Sequence, residues 1–98
     1  MSSTSYEGID PPVLYDIFTE MYTNVGGHIL AMARHSTTDA EQAYWRHRLQ
    51  WLDSEYRNID WRDRDAQITA MNQWEVERDD LVSVLEAREA ERNQVVAP

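Results

Sequence analysis

The stretch from Thr38 to Ile59 limits the choice of fold more than any other, because it carries both a helix start and a helical apolar period. Thr38-Asp39-Ala40-Glu41 has the form of a capping box, in which the Thr hydroxyl accepts from a first-turn N–H and Glu41 reaches back. Behind it, Trp45, Leu49, Leu52, Tyr56 and Ile59 recur at steps of four and three, which puts them on one helix face. Tyr44 and Trp51 lie beside that stripe and widen it. The spacing predicts the central helix of a small helical protein.

The flanking segments extend the pattern. Asp10-Pro11-Pro12 reads as a helix start, with Asp10 as N-cap and Pro11 at the first helical position. Leu14, Phe18, Met21, Val25, His28, Met32 and His35 follow at alternating steps of four and three, a heptad-like seam flanked by Ile17 and Ile29. Gly26-Gly27 falls inside it, and each glycine costs about 1 kcal/mol relative to alanine in a helix. The alternative is a break near Asn24. Because the seam keeps its phase across the pair, a continuous helix is expected, with a bulky neighbour such as a tryptophan against the glycines.

Downstream, the second stripe lands on Asp63 if simply continued, and an apolar stripe restarts at Ile68. That phase break predicts a turn over residues 58–63, with Asp60 or Asp63 capping the next helix; the alternative is one very long helix, which would call for a dimeric coiled coil. Ile68, Met71, Trp74, Leu81, Val82 and Leu85 then define a third apolar face, interrupted by Arg78. The expected fold is all-α: a small antiparallel three-helix bundle with helices at about 11–35, 39–59 and 63–88, forming one domain over 10–88. Residues 1–9 are expected to be a flexible N-terminal tail. Residues 89–98 are expected to be a frayed or extended helical C-terminal tail, which a dimer would capture.

Charge narrows the function. The net charge is −9, and all nine basic residues are arginine, so the side chains offer no amine for acetylation. Such a chain is repelled by a phosphate backbone, which argues against direct nucleic-acid binding. Without cysteine it has no disulfide framework and no thiolate nucleophile or metal site. No apolar run approaches the roughly 20 residues of a membrane span, and the N-terminus lacks the pattern of a signal peptide, so a cytoplasmic location is expected.

The candidate chemistry is sparse. His28 and His35 lie two turns apart, about 10.5 Å along a helix axis, whereas a zinc-binding H-E-x-x-H pair needs one turn. His47 sits in Trp45-Arg46-His47-Arg48, on the side expected to be exposed. Gly26-Gly27 lacks the spacing and the lysine of a phosphate loop, and no serine or threonine adjoins a His–acid pair. No metal, cofactor or catalytic activity is therefore expected. In length, acidity and helical hairpin character the chain resembles the WXG100 secretion substrates, a likeness that does not assign it to that family. No Trp-x-Gly joins its helices, and its Tyr-x-x-x-Asp pairs, Tyr6–Asp10 and Tyr56–Asp60, are matches that so acidic a chain produces by chance. Small acidic immunity proteins and phage-encoded inhibitors are similar in overall character, a likeness of composition that fixes no residue.

Two faces stand out for binding. Glu75, Glu77, Asp79 and Asp80 crowd together, with Glu86 further on. Glu75, Asp79 and Glu86 share one helical face at steps of about 6 and 10.5 Å, the first close to the spacing of phosphates along a strand. The expectation is a non-catalytic protein-binding module, a small acidic modulator or inhibitor of a protein with a basic and even nucleic-acid-binding surface. The plain alternative for such acids is a solvated face. The second candidate face is Tyr44, Arg48, Trp51 and Arg57, since Trp, Tyr and Arg dominate binding hot spots. The rival function is a structural homo-oligomer, at its simplest a homodimer, joined through these aromatic helix faces.

Overall fold

Two prolines set where the first helix begins: Pro11 and Pro12 open α1 (Pro11–Arg34), their missing N–H groups falling where a helix has no use for them. The computed structural model describes Tyr6 and residues 8–96, with side chains through Arg92. Within that span the chain forms α1, then α2 (Asp39–Asn58) and α3 (Arg64–Val96), a three-helix bundle with no strand among the described residues. No helix among them is long and apolar enough to cross a membrane.

The helix ends follow local chemistry. Asp10 is the N-cap of α1 but makes no side-chain cap bond. At the other end, the His35 N–H reaches the Ala31 carbonyl at 3.0 Å, and the Ser36 hydroxyl donates to the Met32 carbonyl at 2.8 Å, so final-turn carbonyls are satisfied. Thr38 caps α2 as expected, accepting from the Glu41 N–H at 3.1 Å. The reciprocal half of the capping box does not form. The Glu41 carboxylate instead accepts from Trp45 Nε1 at 3.2 Å and from Arg88 at 2.9 Å, and a guanidinium is a stronger donor than a backbone amide. Asp63 caps α3, its Oδ1 accepting from the Ala66 N–H at 3.1 Å. Gln67 is almost wholly buried and donates from Nε2 to the carbonyls of Asp60 and Trp61, which ties the α2–α3 turn to the helix behind it.

The helix at the centre is α1, a correction to the expectation that residues 38–59 hold that place. α1 packs against both α2 and α3 and buries Leu14, Phe18, Val25, Ile29, Met32 and Ala33, whereas α2 buries only Leu52. The reason lies in the width of the stripes. Arg48, Asp53 and Glu55 flank the apolar row of α2 and keep it narrow, and Tyr44 and Trp51 end up 61% exposed instead of widening it. The fully buried tryptophan is Trp74 on α3, stacked on Phe18 with ring centroids 5.2 Å apart. Tyr56 stacks on both Phe18 and Tyr22, at 5.1 and 4.0 Å, so aromatic rings from all three helices meet in the middle of the core. The tyrosine hydroxyls are satisfied at the edge: Tyr22 donates to Asp53 at 2.7 Å, and Tyr56 shares hydrogen bonds with Thr19 and Tyr15.

α1 is continuous through Gly26-Gly27, as its seam predicts. The close approach is at Gly26 alone, where a Cβ would lie 3.6 Å from Leu52 and 3.7 Å from Leu49; at Gly27 nothing lies within 4 Å. Leucines, not a tryptophan, fill the space. α3 runs eight residues beyond the expected end at 88, so its ~50 Å length sets the 53 Å long axis of the molecule. At the other end of α3, the Arg64 guanidinium donates to the carbonyls of Ile9 and Tyr6 at 2.5 and 2.6 Å, and both residues pack on the core. The rest of the expected N-terminal tail, residues 1–5 and 7, lies outside the described residues, as do residues 97 and 98.

Candidate functional site

The two charges of this chain are distributed differently. Arg48, Arg57, Arg62, Arg78 and Arg88 each pair with a carboxylate, and Arg64 is held by two backbone carbonyls. Most of the cations thus face the chain's own groups, while Asp16, Glu20, Asp39, Asp65, Asp80, Glu86, Glu89 and Glu91 are exposed, with no ion-pair partner among the described residues. Arg34, Arg46 and Arg92 are the exposed arginines with no such partner, so unpaired acids outnumber unpaired cations on the described surface.

The five acids singled out on α3 separate into three groups. Glu77 is turned towards α2, where Arg48 grips it through two parallel bonds, Nε to Oε2 at 2.7 Å and Nη2 to Oε1 at 2.5 Å. Glu55 takes a third bond from the same guanidinium at 3.3 Å, and the Glu77 bond is the main reason the Arg48 pKa is raised. Glu75 is half-buried and accepts from the Tyr6 hydroxyl at 3.3 Å; burial first, and then this carboxylate, raise the Tyr6 pKa. Asp79, Asp80 and Glu86 are exposed, Asp79 beside Arg78 at 3.2 Å. The structure thus keeps Asp79, Asp80 and Glu86 as an outward acidic surface, leaves Glu75 half-buried, and turns Glu77 into a partly buried contact with α2.

The second face also divides. Tyr44, Arg48 and Trp51 follow one another at steps of four and three on the side of α2 nearest α3. Tyr44 and Trp51 are exposed, and Arg48 between them is the strut to Glu77. Arg57 lies on another face of the helix, in an i,i+4 pair with Asp53 at 3.1 Å, so it does not join the aromatic pair.

Sequence reasoning missed Trp61. It stands in the polar turn between α2 and α3, 56% exposed, with the Arg62 guanidinium 5.5 Å from its ring centroid. Its neighbour Asp60 accepts from the Arg62 N–H at 2.8 Å, which holds the Asp60 carboxyl below its usual range. With Pro12, Tyr15 and Asp16 of α1, Trp61 lines a shallow cavity of about 460 Å³. The signal was available: a tryptophan that belongs to no apolar stripe has no core to enter. A larger cavity of about 710 Å³ lies where the C-terminal part of α3 passes the α1–α2 turn, lined by Ala31, His35, Thr37, Leu85, Arg88 and Arg92 among others. Its lining mixes arginines with Glu89 and Glu91 and presents no single charge.

The histidines do not converge. His28 hydrogen-bonds the Asn24 carbonyl at 2.8 Å, His35 closes α1 and His47 is exposed on α2; among the described residues no group of metal-ligating side chains comes together. No protein-family model matches this chain, and no curated protein or solved structure matches it either.

Proposed function

We propose that this chain is a non-catalytic protein-binding module, a small acidic modulator or inhibitor of a protein with a basic surface. The observation that supports the reading is the asymmetry of charge: six of the nine arginines are engaged with the chain's own groups, and the acids of α3, with Asp79, Asp80 and Glu86 foremost, remain outward. A surface of that kind speeds encounter with a cationic partner and loses its effect as salt rises. Neutralising it tests the idea. The variant Asp79→Asn/Asp80→Asn/Glu86→Gln should associate with an immobilised arginine-rich peptide several-fold more slowly at low salt, with a flatter salt dependence and an unchanged helical spectrum. Association at the wild-type rate would reduce the acidic face to ordinary solvated surface.

A second reading rests on Tyr44 and Trp51, both 61% exposed and on one side of α2. Two such rings are a natural seat for a second copy, which makes a homodimer the structural alternative. Sedimentation across a range of protein concentration and salt separates the two. A salt-independent dimer lost on Trp51→Ala supports the structural role, and a monomer throughout removes it.

A further inference from the structure

The cavity beneath Trp61 brings two aromatic rings and an unpaired carboxylate together. Its walls are an indole, a phenol ring, a proline and one carboxylate: Trp61 from the α2–α3 turn, and Tyr15, Pro12 and Asp16 from the first turns of α1. The indole is exposed, but its backbone is fixed. Gln67, buried behind it, donates to the Trp61 carbonyl at 2.7 Å and to the Asp60 carbonyl at 3.1 Å. Tyr15 is equally well placed, its hydroxyl 3.3 Å from that of Tyr56 and its ring 6.1 Å from Phe18. A preformed site loses little side-chain freedom when it binds.

The chain itself shows what this indole accepts. The Arg62 guanidinium sits over the Trp61 ring without lining the cavity, so the part of the ring that faces Pro12 and Tyr15 is left for another group. Asp16 is exposed, and no hydrogen bond or ion pair engages its carboxylate among the described residues. The same end of the bundle carries the exposed carboxylates Asp10, Asp60 and Asp63, of which Asp60 is paired with Arg62 and Asp63 caps α3, so Asp16 is the carboxylate of the cavity wall left for a cation. An apolar anchor entering here would strip water from Asp16 without replacing it. A lysine would satisfy the carboxylate but present a compact charge to the indole. A guanidinium is planar, stacks on an aromatic ring and pairs with a carboxylate at the same time.

We propose that this cavity is the anchor point for an arginine side chain of the basic partner, with the guanidinium between the Trp61 ring and the Asp16 carboxylate and the aliphatic stem against Pro12 and Tyr15. This deepens the reading of the chain as an acidic binding module and rests on it. It also assigns a role to the one large aromatic that the core does not use and the helix faces do not present.

The test is titration of the full chain with acetylated, amidated hexa-arginine, and with the peptide in which citrulline replaces every arginine. The readouts are the dissociation constant and the Trp61 indole N–H resonance, assigned with Trp61→Phe. Hexa-arginine should shift that resonance and the citrulline peptide should not. Trp61→Ala should weaken hexa-arginine binding about fivefold to tenfold, and Asp16→Asn severalfold. Both residues are exposed, so circular dichroism should show the helices intact. If Trp61→Ala binds within twofold of wild type while Asp79→Asn/Asp80→Asn/Glu86→Gln loses binding, the anchor is refuted and the acidic-surface reading stands. If the wild-type chain shows no salt-dependent binding of hexa-arginine, both fall. If the Trp61 resonance instead moves with the chain's own concentration, the occupant is a second copy and the arginine assignment is overturned.

Discussion

Arg48 and Glu77 offer the sharpest test of how the fold is held together. They join α2 to α3, two helices that meet chiefly through α1, by a two-pronged contact between side chains only 22% and 23% exposed. Exposed pairs contribute about 0.2–1 kcal/mol, and removing one partner of a fully buried pair costs about 3–5 kcal/mol. This pair lies between those limits. Glu77→Met removes one carboxylate and leaves Arg48 with Glu55, so it should cost about 1.5 kcal/mol. Arg48→Met leaves two half-buried carboxylates facing each other without a cation and should cost about 2–3 kcal/mol. The double variant Arg48→Met/Glu77→Met removes the charges together and should cost less than Arg48→Met alone, a coupling of about 2 kcal/mol. In urea, with a slope of about 1–1.5 kcal/mol per molar for a chain of this size, the single variants should lower the midpoint by about 1–3 M and the double variant by less than Arg48→Met. Single effects that add to within about 0.3 kcal/mol would refute the strut, and Arg48 would count again among the binding residues.

The glycine pair should respond asymmetrically. Gly27→Ala faces open space and should stabilise by up to about 1 kcal/mol, whereas Gly26→Leu drives a large side chain into Leu49 and Leu52 and should cost about 1–3 kcal/mol; equal urea midpoints for the two would show that the close approach at Gly26 is absent. Arg88 and then Trp45 hold the Glu41 pKa below its usual value, so the stability this group contributes is present above its unfolded pKa and is lost as pH falls through the lower folded one. Glu41→Gln should therefore flatten the acid limb of a stability–pH curve, which thermal melts at successive pH values would show. The Tyr22 pKa is raised, chiefly by its bond to Asp53, so its contribution is complete below the unfolded value and is lost as pH rises through the folded one. Tyr22→Phe should make the chain less sensitive to alkali, and an unchanged alkaline limb would assign that limb to other groups.

Three helices were legible because their signals are local. The phase break at Asp63, the Thr38 cap and the unbroken seam of α1 each involve residues within a turn or two of one another. Which helix sits in the middle was not legible, since the apolar rows of α1 and α2 have the same period and differ only in what flanks them. Glu77 read as one acid among several because its partner, Arg48, is 29 residues away in sequence, and only tertiary contact separates a strut from a solvated face. Gln67 was readable in principle. It precedes Met71 and Trp74 by four and seven residues, on the apolar face, and a polar residue in that position must find buried acceptors.

The central place of α1 has a consequence for how the chain assembles. α1 and α2 are joined by residues 35–38 alone, so their hairpin closes a short loop and can form as soon as both have been synthesised. The contacts of α3 reach back across the whole of α2: Phe18 meets Trp74, and Tyr6 meets Glu75. Docking of α3 is thus the step of highest contact order, and it waits until α3 has been synthesised. Until it happens, the hairpin displays the α1 seam that Trp74, Met71 and Leu81 will cover, and Arg48 stands without Glu77. A newly made chain therefore passes through a stage in which its most apolar groove is open and its most acidic helix is untethered. That is the interval in which it is most exposed to aggregation or to capture by another protein.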